Sequence, residues 1–182
     1  MGLIIKKYRH APAHWFSDDF YYFFTGAVYQ KKRLLCTAQT KDIFINCLFQ
    51  FIEKFKWELL EWVVLENHYH FLAKVHKSED MPRLINVLHK TSAFHIKKKL
   101  NLAVKPFWYQ YWDRCLRDEW HFFETANYIL YNPVKHGYVE NLKDYPFSSF
   151  SIRISQEEAE LRKNFLLYKP QAIHYYDDID DF

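Results

Sequence analysis

From Trp57 to Val75 two apolar-rich runs flank the polar pair Glu66-Asn67, the pattern of a β-hairpin. The second run alternates. Successive side chains of a strand point to opposite faces, so His68, His70, Leu72 and Lys74 share one face and Tyr69, Phe71, Ala73 and Val75 the other. Upstream, Phe20 to Tyr29 is rich in strand-forming residues and predicts a first strand. Thr40 reads as an N-cap and Asp42 as a first-turn acid. The helix they open carries Phe44, Cys47, Leu48, Phe51, Ile52 and Phe55 on one stripe. Beyond the hairpin, Ser78-Glu79-Asp80 opens a second helix, Met81 to Leu100, with Leu84, Ile85 and Leu88 inside. Phe107 to Leu116 predicts a further strand, and Asp118-Glu119 starts a third helix reaching about Tyr131. Asn132-Pro133 marks its expected end, because a residue before proline is pushed out of the helical region.

The predicted order is β-α-β-β-α-β-α. Its first six elements match the split β-α-β arrangement, ferredoxin-like and RRM-like: an α+β fold with a four-stranded antiparallel sheet and two helices on one face. The other face is left for a site, beneath an additional C-terminal helix. One domain is expected over residues 1–182, with a core of about 20–150. Residues 1–18 read as an irregular lead-in. The tail from about 151 to 182, ending in Asp177-Asp178-Ile179-Asp180-Asp181, has no assigned role.

Composition narrows the class. Aromatic residues make up 20% of the chain and glycine numbers three, so the chain reads as globular rather than disordered. Cys36, Cys47 and Cys115 are widely spaced and form no CxxC pair, so a reducing, cytoplasmic location is expected. The N-terminal apolar patch is too short for a signal peptide, and no run is long enough to span a bilayer; no membrane partner is expected. A net charge of +3 permits nucleic acid without requiring it.

His68 and His70 would stand roughly 6–7 Å apart along their strand, a spacing that lets both bind one ion. Two histidines on a half-exposed strand are also a common structural choice. On the third helix Phe122, Phe123, Ala126, Ile129 and Leu130 cluster on one side, with His121, Glu124, Tyr128 and Asn132 opposite. Tyr128 and Asn132, four residues apart, face the same place. If this helix lies over the open sheet face, Tyr128 meets the histidines. A zinc site on His68, His70 and His76 or His89 is an alternative, though it lacks thiolate ligands. A non-catalytic, RRM-like nucleic-acid-binding module is another, though no RNP-type stretch is present.

Five pieces occur in order: YFFT (Tyr22 to Thr25), LENHYHFL, FWYQYWDRCLRD, ANYILYNPVKHGYV and DYPFSSF (Asp144 to Phe150). Together they resemble the single-tyrosine, IS200-like transposases of the His-hydrophobic-His endonuclease superfamily, most of all the branch called REP-associated tyrosine transposases. The resemblance covers roughly residues 20–150. It implies that His68 and His70 hold a divalent ion, Mg²⁺ or Mn²⁺, with Tyr69 between them, that Tyr128 is the nucleophile, and that Asn132 completes the protein ligands. Where members often carry an aromatic-Asp-His run, this chain has Trp112-Asp113-Arg114. Members include monomers and dimers, so a homodimer is allowed.

A phenol with a pKa of about 10 is a poor nucleophile at neutral pH, and a divalent ion on the phosphate lessens the activation it needs. Two imidazoles with phosphate oxygens and water suit Mn²⁺ or Mg²⁺. The expected substrate is single-stranded or hairpin DNA. Lys31, Lys32, Arg33, Lys97, Lys98, Lys99, Lys135 and His136 are candidate phosphate contacts. Trp108, Tyr109, Tyr111 and Trp112 are candidates for base stacking, although alternation sends half of them to the core.

Overall fold

The computed structural model describes residues 4–6 and 14–153. Its main sheet contains β3 (Phe20–Val28), β4 (Glu58–Val64), β5 (His68–Val75) and β6 (Trp108–Leu116) in the order β4-β5-β3-β6, every pair antiparallel. Helices α1 (Ala38–Lys54) and α2 (Met81–Leu100) complete the expected split β-α-β topology. They cover one face of the sheet, over a core that includes Tyr22, Phe24, Tyr69, Phe71, Phe44, Leu48, Leu84 and Leu88. Phe23, Val63 and Leu72 occupy the other face and pack with Tyr128 and Ile129 of α3 (Glu119–Lys135). The hairpin alternation read from the sequence is thus the division between the two cores.

Gly26 shows how tight the helix-side layer is. A Cβ there would lie 2.6 Å from the Tyr69 hydroxyl, so only glycine lets this ring cross β3. The Tyr69 hydroxyl meets Nε2 of His89 on α2 at 2.8 Å, and His89 stacks on Trp108 at 4.8 Å. Trp108 in turn donates from Nε1 to Ser92 Oγ at 3.0 Å. Burial pushes the His89 imidazole down to about 3, so the ring that shares this hydrogen bond with Tyr69 is neutral.

Several boundaries differ from the sequence reading. The N-cap of α1 is Thr37, with Thr40 at the third helical position: each hydroxyl accepts from the other's backbone N–H, at 3.2 and 3.3 Å, a reciprocal capping box. The lead-in contains a two-stranded antiparallel sheet, β1 (Ile4–Lys6) with β2 (His14–Phe16). Helix α3 continues through Pro133 to Lys135. It stops where Gly137 takes φ 70°, with Tyr138 N–H donating to Pro133 O and Gly137 N–H to Val134 O, a Schellman ending. Proline's bias on the residue before it yields here to burial of Asn132 and Pro133. The acidic end of the tail lies outside the described residues.

The outer edge of β4 is closed by the segment leading into α4 (Ser149–Arg153). Val64 N–H donates to Phe147 O at 3.0 Å, Tyr145 Oη to Val64 O at 2.7 Å, and Trp62 N–H to Ser149 Oγ at 3.0 Å. Ser149 Oγ also donates to the buried Glu61 carboxylate at 2.6 Å. An exposed row of strand groups would otherwise invite pairing with another chain.

Candidate active site

Strand β5 presents His68 and His70 on the α3 side, with ring centroids 4.9 Å apart. His70 is fully buried and stacks on Phe23 at 5.4 Å. The tyrosine of α3 reaches it: the Tyr128 ring lies 5.4 Å from the His70 ring and 6.2 Å from Phe23. Two helical turns on, the His136 ring stands 5.2 Å from His68. Tyr128, Asn132 and His136 recur every fourth residue, so Asn132 falls on the helix face between the two ring contacts.

Tyr128 and Asn132 are in the interior, 2% and 0% exposed, beside Ile129 and Leu130 rather than opposite a core. The separation into apolar and polar sides expected for this helix therefore fails at its C-terminal half, which is buried on every side from Thr125 to Leu130. Both side-chain polar atoms of Asn132 lack a hydrogen-bond partner among the described residues. A buried polar group left unsatisfied costs about 1–3 kcal/mol, a cost retained where a ligand answers it.

Asn67 contributes a contact that the sequence reading assigned only to a turn. Its Oδ1 lies 2.7 Å from His68 Nδ1, and its amide nitrogen points to the Lys31 carbonyl at 3.5 Å. That orientation makes Nδ1–H the donor and leaves Nε2 of His68 with its lone pair. Residue type gives no hint of this: Asn is as ordinary in a hairpin turn as beside a ligand.

The predicted basic residues divide. Lys135 places its Nζ 5.1 Å from the centre of the Tyr128 ring, and His136 abuts His68. Lys31, Lys32 and Arg33 follow β3 in a turn tied to the histidine strand, where Val28 N–H donates to Asn67 O and Leu35 N–H to Glu66 O. Arg33 is engaged by the Glu66 carboxylate. Lys97, Lys98 and Lys99 end α2 in the other helical layer, and the latter two line a groove of 620 Å³ with His95, Asn46 and Gln50. Of the four aromatics on the last strand, Trp108 and Tyr111 belong to the α1–α2 layer.

The zinc alternative is not supported. His89 is on the far side of the sheet, and His76 is engaged by Asp19 at 2.7 Å and Glu58 at 3.0 Å. No three His, Cys, Asp or Glu side chains gather to hold a metal among the described residues. The donor set on offer is two imidazoles and one amide. No described helix is long and apolar enough to cross a membrane.

Known proteins share this architecture. The chain is 27% identical over 146 residues to a Haemophilus influenzae protein assigned to the REP-associated tyrosine transposases, covering 75% of this chain and 82% of that one. It is also 27% identical over 132 residues to the REP-associated tyrosine transposase of Escherichia coli, covering 71% and 75%. A solved REP-associated tyrosine transposase bound to a REP hairpin superposes with a TM-score of 0.68 at 23% identity, over 83% of this chain and 86% of that one, and so shares the fold. The family model described as "Transposase IS200 like" matches residues 16–116, more than half of the chain and both histidines of β5. The chain belongs to the family of IS200-like transposases.

Proposed function

We propose that this DNA-processing enzyme is a single-strand DNA endonuclease and strand transferase that works through a covalent bond to Tyr128. The observation that carries the reading is the meeting of Tyr128 with His70 at 5.4 Å, beside His68 and the partnerless amide of Asn132. His68, His70 and Asn132 fit a divalent ion such as Mg²⁺ or Mn²⁺: two imidazole nitrogens and an amide oxygen leave the remaining positions to phosphate and water oxygens. When bound, such an ion would neutralise the scissile phosphate and polarise it.

The chain's own groups do the rest. The Tyr128 phenol oxygen attacks phosphorus, losing its proton to solvent, and the bond from phosphorus to the 3′ oxygen breaks. The departing strand takes up a proton as a 3′-hydroxyl, and the other strand stays attached as a 5′-phosphotyrosine. Attack by another 3′-hydroxyl reverses the step and joins strands, so no nucleotide cofactor is consumed. Lys135, over the tyrosine ring, adds positive charge where phosphate must approach. The hairpin held by the solved relative supports a hairpin as substrate, and attack on one strand calls for a single-stranded flank beside it.

The test is a labelled hairpin oligonucleotide incubated with the protein and Mg²⁺ or Mn²⁺. A denaturation-resistant adduct is expected. Tyr128→Phe abolishes it while the melting temperature and DNA affinity stay close to wild type. An adduct retained in that variant rejects Tyr128, and a wild-type protein that binds the hairpin without ever forming an adduct is a binding module.

A further inference from the structure

Three aromatic side chains beside the site take no part in the steps above. Tyr109 is 44% exposed, and its ring lies 6.1 Å from Tyr29 and 6.0 Å from Trp112, both half-buried. Their placement follows from strand register. Thr25 of β3 pairs with His70 on one side and with Trp112 on the other, so His70, Thr25 and Trp112 form one row across the sheet on the α3 face. In the next row Ala27 pairs with His68. The β3–β6 register jumps from Gly26–Tyr111 to Val28–Trp108, leaving Tyr109 and Gln110 opposite Ala27 alone. That is a β-bulge, which re-aims side chains where a strand passes a site. Tyr109 and Trp112 thus stand two strands from His68 and His70, about 10 Å at ordinary strand spacing.

The third ring is tied to the same place. Tyr29 N–H donates to Phe107 O at 2.8 Å, and Gln30 and Lys31 then turn through φ 58° and 52°. This turn leaves Lys31 and Lys32 exposed next to the aromatic group. One exposed ring flanked by two half-buried ones, with neighbouring cations, fits unpaired bases, whose faces stack and whose phosphates need positive charge. Duplex DNA, with its bases already stacked, has no use for such a surface.

We propose that Tyr29, Tyr109 and Trp112 form a stacking platform for the unpaired bases that flank the cleaved phosphate; this rests on the reading of the site as a single-strand DNA transferase. The platform holds the flank across β6 while the phosphate lies at Tyr128 and the histidines. Its length along the strand limits how far from the hairpin foot cleavage falls.

Hairpins with and without a single-stranded flank, carrying 2-aminopurine in the flank, test it with folded Tyr109→Ala, Tyr29→Ala and Tyr109→Phe proteins. The wild type should quench the probe. Each alanine variant should lose the quench and bind the flanked hairpin roughly tenfold or more weakly, in line with the loss of one stacked base. Tyr109→Phe should retain both, and the blunt hairpin should bind all four proteins alike. Unchanged flank affinity in both alanine variants, or an equal loss for blunt and flanked hairpins, overturns the platform. Adduct formation by the wild type with unchanged flank affinity in the variants rejects the platform alone. Flank-specific loss with no wild-type adduct under any condition rejects the transferase reading alone.

Discussion

At the scale of single residues, the strand fixes where His68 points, but a hydrogen bond fixes which ring nitrogen carries its proton. Asn67 Oδ1, at 2.7 Å from Nδ1, makes that choice and keeps the lone pair on Nε2. Losing such an orienting partner typically weakens metal binding about 10–100-fold. Asn67→Ala is therefore expected to weaken Mn²⁺ binding by roughly that factor, measured by calorimetric titration, with the melting temperature little changed. Equal affinity in both proteins would reject the ligand role of His68 Nε2. Asn132→Leu offers a contrast, because it removes a buried amide without a partner; loss of ion affinity together with gained stability is the signature of a ligand kept at a cost.

At the scale of elements, β5 is bound to α2 through Tyr69 and His89. The buried imidazole titrates at about 3 when folded but near its ordinary value of about 6.5 when unfolded. The unfolded chain then binds the extra proton between those values, so this contribution to stability is complete above about pH 6.5 and is lost as pH falls toward 3. His89→Gln, which still hydrogen-bonds Tyr69, is expected to flatten the fall in melting temperature across that window. An identical profile in the variant would show that His89 titrates normally. The alternation of His68 to Val75 made the two faces of β5 legible in the sequence, and the stripe from Phe44 to Ile52 did the same for α1. The Schellman ending and the Thr37 cap were harder to read, because proline before the last turn and two threonines three apart each fit more than one boundary. At the site, Tyr128 and Asn132 could be named from spacing and resemblance. Asn67 could not, since its role depends on the distance to a neighbouring ring. Burial of α3 on every side from Thr125 to Leu130 was also hidden, because a helical wheel shows direction and not what covers it.

At the scale of the molecule, the sheet separates two basic regions. Lys98 and Lys99 line the groove between α1 and α2, whereas Lys135 and His136 stand with the tyrosine. If both meet DNA, they do so differently: phosphate contacts position a duplex without reading it. Replacing Lys97, Lys98 and Lys99 together with alanine is expected to weaken hairpin binding equally for all stem sequences. The salt dependence should become shallower by about one slope unit for each phosphate that a lysine no longer neutralises. Adduct formation at saturating DNA should be unaffected, and a slowed reaction there would place these lysines in the chemistry. The sealed edge of β4 has a further consequence, for biosynthesis. Trp62 and Ser149 are 87 residues apart, so the ribosome releases this strand long before its closing segment exists. Throughout that interval the border of the nascent sheet is open, and until Lys135 has been made the histidine face lacks the complete helix that will cover it. The chain is most vulnerable to mispairing just before its last described helix is made, which makes that final stretch the latch of the whole fold.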